Sequence, residues 1–249
     1  MFLRVPPGEL LSALRGSAAR DAIRVTAETI AISMLLILVF GTPAAYWIST
    51  RSGAARDIGV TLIELPLVLP PAVAGIGLLV AFGRAGLLGG TFDALGIDIA
   101  FTKVAVTLAV TFVASPFYLR AAVAAFEAVD ETLPAAARTL GAGRARVFFR
   151  VMLPLAGGGL GAGAALAFAR GLGEFGATIM FAGSLQGVTQ TLSLAIYEQF
   201  DLDFTVALAI SALLIFISAF VLLSVKLLPR WHSESGSLTP FAASTRPPS

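Results

Sequence analysis

Long apolar stretches without any charged residue recur along this chain, separated by short polar segments. The longest are 29–50, 65–83, 151–169 and 204–225. At 1.5 Å per helical residue, such a stretch is long enough to span the roughly 30 Å hydrocarbon core of a bilayer. The pattern therefore predicts an all-α, polytopic membrane protein whose partner is the lipid bilayer.

Five membrane spans follow from this pattern. They lie at about 29–47, 58–82, 103–126, 151–172 and 204–228. The segment 175–197 is also uncharged, but it is rich in Gly, Ser, Thr and Gln. Irregular backbone at membrane depth is tolerated only where protein or water covers it. We therefore favour a re-entrant, pathway-lining segment at 175–197 over a sixth span.

The polar ends of the chain differ in composition from the apolar middle. We divide it into an amphipathic and polar segment at 1–24, a transmembrane domain at 25–229 and a polar tail at 230–249. The tail is rich in Ser and Pro and is expected to be disordered. In the first segment, Leu10, Leu11 and Leu14 share one helical face, which predicts that it lies along the membrane surface.

The basic residues of the loops predict the orientation of the spans. Cytoplasmic loops carry an excess of Lys and Arg, and the loop 127–150 is the most basic of the chain. With this loop inside, the cytoplasmic set is Arg51, Arg56, Arg138, Arg144, Arg146, Arg150, Lys226 and Arg230. The N-terminal arginines fall outside, against the rule: Arg4, Arg15, Arg20 and Arg24. The loop 127–150 is nevertheless expected in the cytoplasm.

Composition excludes several kinds of site. The chain has no cysteine, and its single histidine, His232, lies in the polar tail, so neither a catalytic triad nor a metal site is predicted. No phosphate-binding G-x-x-x-x-G-K-[ST] motif occurs. A net charge of +2, from 17 basic and 15 acidic residues, gives no basis for nucleic-acid binding.

The stretch 127–154 contains a short amphipathic helix at about 131–140. Leu133, Ala137 and Leu140 recur at helical spacing and form a narrow apolar face. Gly141 and Gly143 follow, as glycines do at the end of a helix. Two interpretations remain open at this point: an interfacial helix that connects two spans, or a peg that docks into a partner protein.

The same stretch resembles the "EAA" signature of ABC importer permeases. The positions that correspond to the signature are Ala135, Ala136, Ala137, Gly141, Val151, Leu153 and Pro154, with Val151 in place of Ile. Ala135 stands where the signature has Glu, which places an ion pair of that carboxylate in doubt. Two further runs, 65–75 and 167–179, resemble the molybdate permease subunits of that class.

This resemblance implies a type I ABC importer permease fold with about five to six transmembrane helices and a cytoplasmic coupling helix. It implies a homodimer of permease copies in a bacterial inner membrane, joined by two ATPase subunits and an extracytoplasmic molybdate-binding protein. ATP and Mg²⁺ would bind the ATPase, leaving this chain without a cofactor. The implied ATPase-coupling residues are Leu133, Ala136, Ala137, Leu140, Gly141, Leu153 and Pro154.

Three prolines interrupt the second span and make it a candidate pathway helix. Pro66, Pro70 and Pro71 each remove a helical hydrogen bond, so the helix must kink or open there. A helix bent only for packing remains the alternative to a pathway-lining one. Gly75 and Gly77 follow at a spacing that allows another helix to approach closely.

Arg170 and Glu174 are separated by one helical turn and are expected to form a structural ion pair. The pair would fix the turn that leads to Phe175, Gly176 and Thr178, which are further pathway or gate candidates together with Glu174. Neutral side chains nearby offer weak contacts to a passing oxyanion. They are Thr178, Ser184, Thr189, Gln190 and Thr191.

Other cargoes and other classes of protein remain as alternatives. A sulfate, thiosulfate or tungstate permease of the same superfamily would carry a similar tetrahedral dianion. A secondary transporter would show repeated halves and paired ionisable residues near mid-membrane, and no internal repeat is evident. An intramembrane enzyme would need catalytic side chains that the chain lacks.

Overall fold

The computed structural model describes residues 6–227, and every regular element within this range is helical. Arg4, Arg230, His232 and the tail 230–249 lie outside the described residues. The helices in chain order are α1 (Pro7–Ala13), α2 (Ser17–Ser49), α3 (Ala54–Val68), α4 (Pro71–Phe82), α5 (Gly89–Ala94), α6 (Lys103–Glu127), α7 (Thr132–Thr139), α8 (Arg144–Val147), a π-helical segment (Phe148–Met152), α9 (Leu153–Leu172), α10 (Gly176–Ala182), α11 (Leu192–Leu202) and α12 (Phe204–Leu227).

Four continuous helical rods in the described part of the chain are long and apolar enough to cross a membrane. They are Ser17–Ser49, Lys103–Glu127, Arg144–Leu172 and Phe204–Ser224. The pair α3 and α4 provides a fifth crossing if it is counted as one bent span. The predicted all-α fold is thus confirmed, with four such spans in the described chain, or five with the bent pair.

The first span extends further towards the N-terminus than its apolar stretch indicates. Helix α2 begins at Ser17, so the predicted boundary at residue 24 falls inside a continuous helix. This end of α2 carries the acidic residues Asp21 and Glu28. Both have partners: the Asp21 carboxylate accepts a bond from the Gln186 amide, and Glu28 pairs with Lys103. Helix α1 packs against α12.

The second span is broken where its prolines predict a kink. Helices α3 and α4 meet at an angle of 108°. Pro66 lies within α3, Pro70 precedes α4, and Pro71 is its first residue, where a missing N–H costs nothing. The break therefore changes the direction of the chain between the end of α3 at Val68 and the start of α4 at Pro71.

The segment 175–197 does not form a sixth continuous helix. It is divided into α10, a loop at 183–191 and the first turns of α11. Gly183 ends α10 with a φ of +68°, which is not a helical conformation. Glycine suits this position because a residue with a Cβ is disfavoured there. The preference for a re-entrant segment over a full span agrees with this division.

Helix α6 lies at the centre of the molecule, between α2 and α9. Two clusters of buried apolar residues follow its length. The first includes Ile30, Val106, Phe181 and Ile210. The second includes Ile37, Tyr118, Phe126 and Val147. Gly159 and Gly163 let α9 approach α6, since a Cβ on either would lie within 3 Å of an alanine Cβ on α6.

Candidate functional site

The chain is interrupted between α3 and α4 and again between α9 and α10, and these two breaks lie against each other. A Cβ added to Gly176, at the start of α10, would lie 2.9 Å from Pro71 Cβ at the start of α4. A Cβ on Gly75 would lie 2.5 Å from the carbonyl oxygen of Ala177. Glycine is therefore required at both contacts. Gly77, predicted to pack in the same way, has open space around it in the described chain.

An ion pair between the half-buried Arg170 and the buried Glu174 holds the turn between α9 and α10. Arg170 Nη2 lies 2.7 Å from Glu174 Oε2, and the Glu174 side chain is only 1% exposed. The other carboxylate oxygen, Oε1, accepts a hydrogen bond of 2.7 Å from the backbone N–H of Ala177. Glu174 thus satisfies an N–H group in the first turn of α10, where a negative charge is favoured by the helix dipole.

The Phe175 and Thr178 side chains take different positions around this turn. Phe175 contacts Tyr197 of α11, with ring centroids 5.3 Å apart. The Thr178 side chain is fully buried, and its hydroxyl has no hydrogen-bond partner among residues 6–227. A buried hydroxyl without a partner is costly, so Thr178 keeps an unused hydrogen-bonding group beside this turn.

Three of the other neutral candidates bond within the loop 183–191 or to the adjoining helix. Ser184 and Gln190 both donate to the carboxylate of Glu198, and the Thr189 hydroxyl accepts the backbone N–H of Leu185. Thr191 is buried, with its hydroxyl unpaired among the described residues. The loop is therefore held largely by side chains that the sequence placed in a pathway.

The short amphipathic helix predicted at about 131–140 is present as α7, and this region exposes apolar side chains. Leu133 is 47% exposed and Leu140 is 88% exposed, whereas Ala137 is half-buried against the second core cluster. The neighbouring Ala136 is also exposed, while Pro134 is buried. The predicted narrow face is therefore divided, with its two leucines available and its alanine facing inward.

Gly141 ends α7 in a Schellman motif. Its N–H bonds to the Arg138 carbonyl, and the Ala142 N–H bonds to the Ala137 carbonyl, at 2.9 and 3.0 Å. Gly141 has a φ of +82°, as this motif requires of the residue after the helix. Leu153 and Pro154 open α9 beyond the π-helical segment; Leu153 is half-buried and Pro154 is exposed.

Behind α7, a polar groove of about 520 Å³ separates the helix from the ends of α2 and α6. Ala135, at the position of the signature's Glu, lines this groove together with Glu131 and Arg138. At the start of α7, Asp130 accepts the backbone N–H of Thr132 at 2.9 Å. This bond lowers the pKa of the Asp130 carboxyl below its ordinary value.

Two ion pairs in the structure were not predicted from the sequence. Arg84 and Asp98 form a two-bond ion pair across the loop 83–102, with Nε–Oδ1 at 2.7 Å and Nη2–Oδ2 at 2.5 Å. The Arg84 bond lowers the pKa of Asp98. Glu28 joins α2 to α6 through Lys103 Nζ, at 2.6 Å. Position offers a signal for three of them, because Glu28, Arg84 and Lys103 each adjoin an apolar stretch.

Comparison with known proteins identifies the class. A family model described as "Binding-protein-dependent transport system inner membrane component" matches residues 22–233. Since this covers most of the sequence, the chain belongs to that family of ABC importer permeases and is a multi-pass inner-membrane protein. Permeases of this family are pathway components, and this membership decides against a secondary transporter.

Individual relatives of the chain are molybdenum transport permeases. The molybdenum transport system permease protein ModB of Mycobacterium tuberculosis is 43% identical over 229 residues, covering 92% of this chain and 83% of that protein. ModB of Escherichia coli is 41% identical over 178 residues, covering 71% of this chain and 78% of that protein. The resemblance to molybdate permease subunits is thus confirmed.

Solved structures support the fold. An inward-facing MetNI methionine ABC transporter chain matches with a TM-score of 0.63 and 20% identity, covering 84% of this chain and 95% of that one. A bacterial alginate ABC transporter, in complex with its periplasmic protein bound to an alginate pentasaccharide, gives a TM-score of 0.67 and 15% identity, covering 93% and 85%. The type I importer permease fold predicted from the sequence is confirmed.

Proposed function

We propose that this chain is the membrane-spanning permease subunit of an ATP-driven molybdate importer. The observation that carries the proposal is the 43% identity to a molybdenum transport permease over 92% of the chain. The geometry supports it, because the α3–α4 break packs against the start of α10 beside an ion pair, while Leu133 and Leu140 of the amphipathic α7 region are exposed. The first feature suits a gated pathway, and the second suits docking.

The partners follow from the same proposal. Two copies of the chain enclose the pathway, two ATPase subunits bind the coupling helices, and an extracytoplasmic binding protein delivers molybdate. ATP and Mg²⁺ bind the ATPase, and the permease itself hydrolyses nothing. The absence of a phosphate-binding loop from the sequence supports this division of labour.

Coupling to the ATPase is assigned to α7 and to the residues that follow it. Leu133 and Leu140 are the exposed apolar contacts, and the Schellman turn at Gly141 directs α7 relative to α8. Large apolar side chains left in water mark an interaction surface. Ala136, Ala137, Leu153 and Pro154 shape its surroundings. The pathway is assigned to Pro66, Pro70, Pro71, Glu174, Phe175, Gly176 and Thr178.

Uptake into proteoliposomes tests the cargo. The permease, its ATPase and its binding protein are reconstituted with ATP supplied to the ATPase side, and uptake of labelled molybdate is followed with unlabelled competitors. We expect ATP-dependent uptake that excess sulfate leaves largely intact. Strong competition by sulfate, with weak competition by molybdate itself, would instead identify a sulfate permease. Competition by tungstate measures how far the transporter distinguishes molybdate from tungstate, which are closely similar dianions.

A further inference from the structure

A cavity of about 120 Å³ lies beside the break between α3 and α4. Pro66 and Pro71 line it on one side, and Val113 and Phe117 of α6 on another. Among the described residues that line it, only Arg170 is charged. A guanidinium therefore faces an otherwise apolar space that is large enough for several water-sized groups.

The Arg170 side chain retains hydrogen-bonding capacity towards this cavity. A guanidinium has five N–H donors in a rigid plane. Within residues 6–227, its only ion-pair or hydrogen-bond partner is Glu174, which Nη2 contacts at 2.7 Å. The side chain is 27% exposed, so it is neither fully solvated nor fully paired. A charged group in this condition is expensive within a membrane span and marks a functional site.

The Glu174 carboxylate is already paired. Its two oxygens are committed to Arg170 and to the Ala177 N–H, and its side chain is almost fully enclosed. It does not line the cavity. The carboxylate therefore offsets part of the Arg170 charge without presenting a negative surface to an entering anion.

We propose that Arg170 is an anion-binding residue of the translocation pathway, which offers its free N–H donors to a tetrahedral oxyanion in the cavity beside the α3–α4 break. The planar guanidinium matches two oxygens of such an anion. Glu174 holds the guanidinium in place and weakens the attraction, so that the cargo leaves again; conduction needs binding of this moderate strength. The proposal rests on the proposed function for the identity of the cargo.

Uptake of labelled molybdate by reconstituted transporters provides the first test. We expect Arg170→Gln to lower the initial uptake rate roughly tenfold or more, as loss of hydrogen bonds to a charged group predicts. Arg170→Lys keeps the charge but loses the planar fork, and its uptake rate should lie between those of Arg170→Gln and the wild type. Arg120→Gln is the matched control: Arg120 also pairs with a glutamate, Glu64, at 3.4 Å, but is 60% exposed. Its rate should equal that of the wild type.

The double variant Arg170→Gln/Glu174→Gln separates binding from mere support of the fold. If the pair only braces the turn, two neutral amides that bond to each other should restore transport. If Arg170 binds the anion, the double variant should remain as slow as Arg170→Gln. Co-elution with the ATPase shows that each variant is folded and assembled. A double variant that is assembled and transports at the wild-type rate would overturn the proposal.

Cysteine protection tests the site without transport, since the chain has no native cysteine. Leu67 lines the cavity, and Leu67→Cys in the permease–ATPase complex is modified with a small thiol reagent. Molybdate should slow modification when Arg170 is present and leave it unchanged with Arg170→Gln; equal rates in both backgrounds would contradict the site. Repeating the assay with sulfate distinguishes the anion site at Arg170 from the proposed molybdate function. Protection by sulfate without molybdate uptake would retain an anion site and reject the molybdate function.

Discussion

At the scale of single residues, the glycines differ in what they do. Gly141 and Gly143 lie two residues apart, both exposed and with open space where a Cβ would be. Only Gly141 has a positive φ, +82°, whereas Gly143 has a φ of −67°. A side chain at Gly141 therefore costs about 1–2 kcal/mol through the backbone alone, and the same side chain at Gly143 avoids that cost.

The first prediction concerns coupling through Gly141. Gly141→Val should insert into the membrane at the wild-type level, because the spans do not depend on this turn. It should misdirect α7, weaken ATPase association and abolish molybdate uptake. Membrane level, ATPase co-purification and uptake measure these effects. Gly143→Val is the control, expected to associate nearly normally. Normal transport by Gly141→Val would show that the turn has no role in coupling.

A second prediction concerns the contact between α4 and α10. Gly75→Ala places a Cβ against the Ala177 backbone, which cannot move as a flexible side chain would. We expect a loss of about 1–3 kcal/mol, as in other overpacked contacts, seen as a lower unfolding temperature of the detergent-solubilised protein. Gly77→Ala, in open space on the same helix, should leave that temperature unchanged or raise it slightly. Equal behaviour of the two variants would show that α4 and α10 are not in tight contact.

Local spacing predicted some of these residues and not others. Arg170 and Glu174 are one turn apart on a helix, and Gly141 follows an amphipathic helix, so short-range rules were sufficient. Glu28 and Lys103 are far apart in the sequence and meet only because α2 packs on α6. The unpaired hydroxyl of Thr178 likewise depends on the packing of α10, which spacing does not describe.

At the scale of elements, apolar length predicted the spans, and proline predicted the break in the second one. The sequence did not predict the π-helical segment at Phe148–Met152, because an extra residue per turn leaves no distinct mark on the hydrophobic pattern. The early start of α2, at Ser17, lies outside the uncharged stretch that predicted the first span. Asp21 and Glu28 in this part of α2 have partners from other elements, so the sequence alone showed only their polarity.

The third prediction concerns the pH dependence of the loop 83–102. Arg84 lowers the pKa of Asp98 from its ordinary value of 3.8. The contribution of this pair to loop order is therefore fully present above that value and is lost as pH falls through the lowered pKa. Both side chains are largely exposed, so the effect is confined to the loop and leaves the overall fold unchanged.

A spin label on Ala94→Cys measures the effect, because α5 lies between the two partners in sequence. The label should become more mobile on acidification below the ordinary pKa of Asp98. Asp98→Asn should be mobile at every pH, whereas Asp93→Asn, in the same loop, should keep the wild-type dependence. A label that ignores pH in the wild type would show that the pair does not order the loop.

At the scale of the whole molecule, the orientation in the membrane is the fourth prediction. A cysteine at Ser52, in the predicted cytoplasmic loop, should resist a membrane-impermeant maleimide in intact cells. A cysteine at Gly90 should react. Gly90 is exposed with room for a side chain, whereas the adjacent Gly89 is buried against the backbone of Arg84. Reversed labelling would place α7 outside the cell and remove its contact with an ATPase.

The class of molecule was predictable because three separate runs of sequence agree. Apolar spans alone indicate only a polytopic membrane protein, and the EAA-type spacing around Gly141 indicates the superfamily. The runs 65–75 and 167–179 form the two breaks that pack together, which explains why they are distinctive. The Arg170 cavity was not predictable, because its walls come from α3, α4, α6 and α9.

ATP hydrolysis by the reconstituted transporter tests the central claim most directly. The permease is measured alone, with its ATPase, and with both the ATPase and the binding protein, in the presence and absence of molybdate. The account predicts no hydrolysis by the isolated chain and a rate in the complete complex that rises with the molybdate-loaded binding protein. Hydrolysis by the isolated chain, or a complete complex whose rate is indifferent to molybdate, would contradict it.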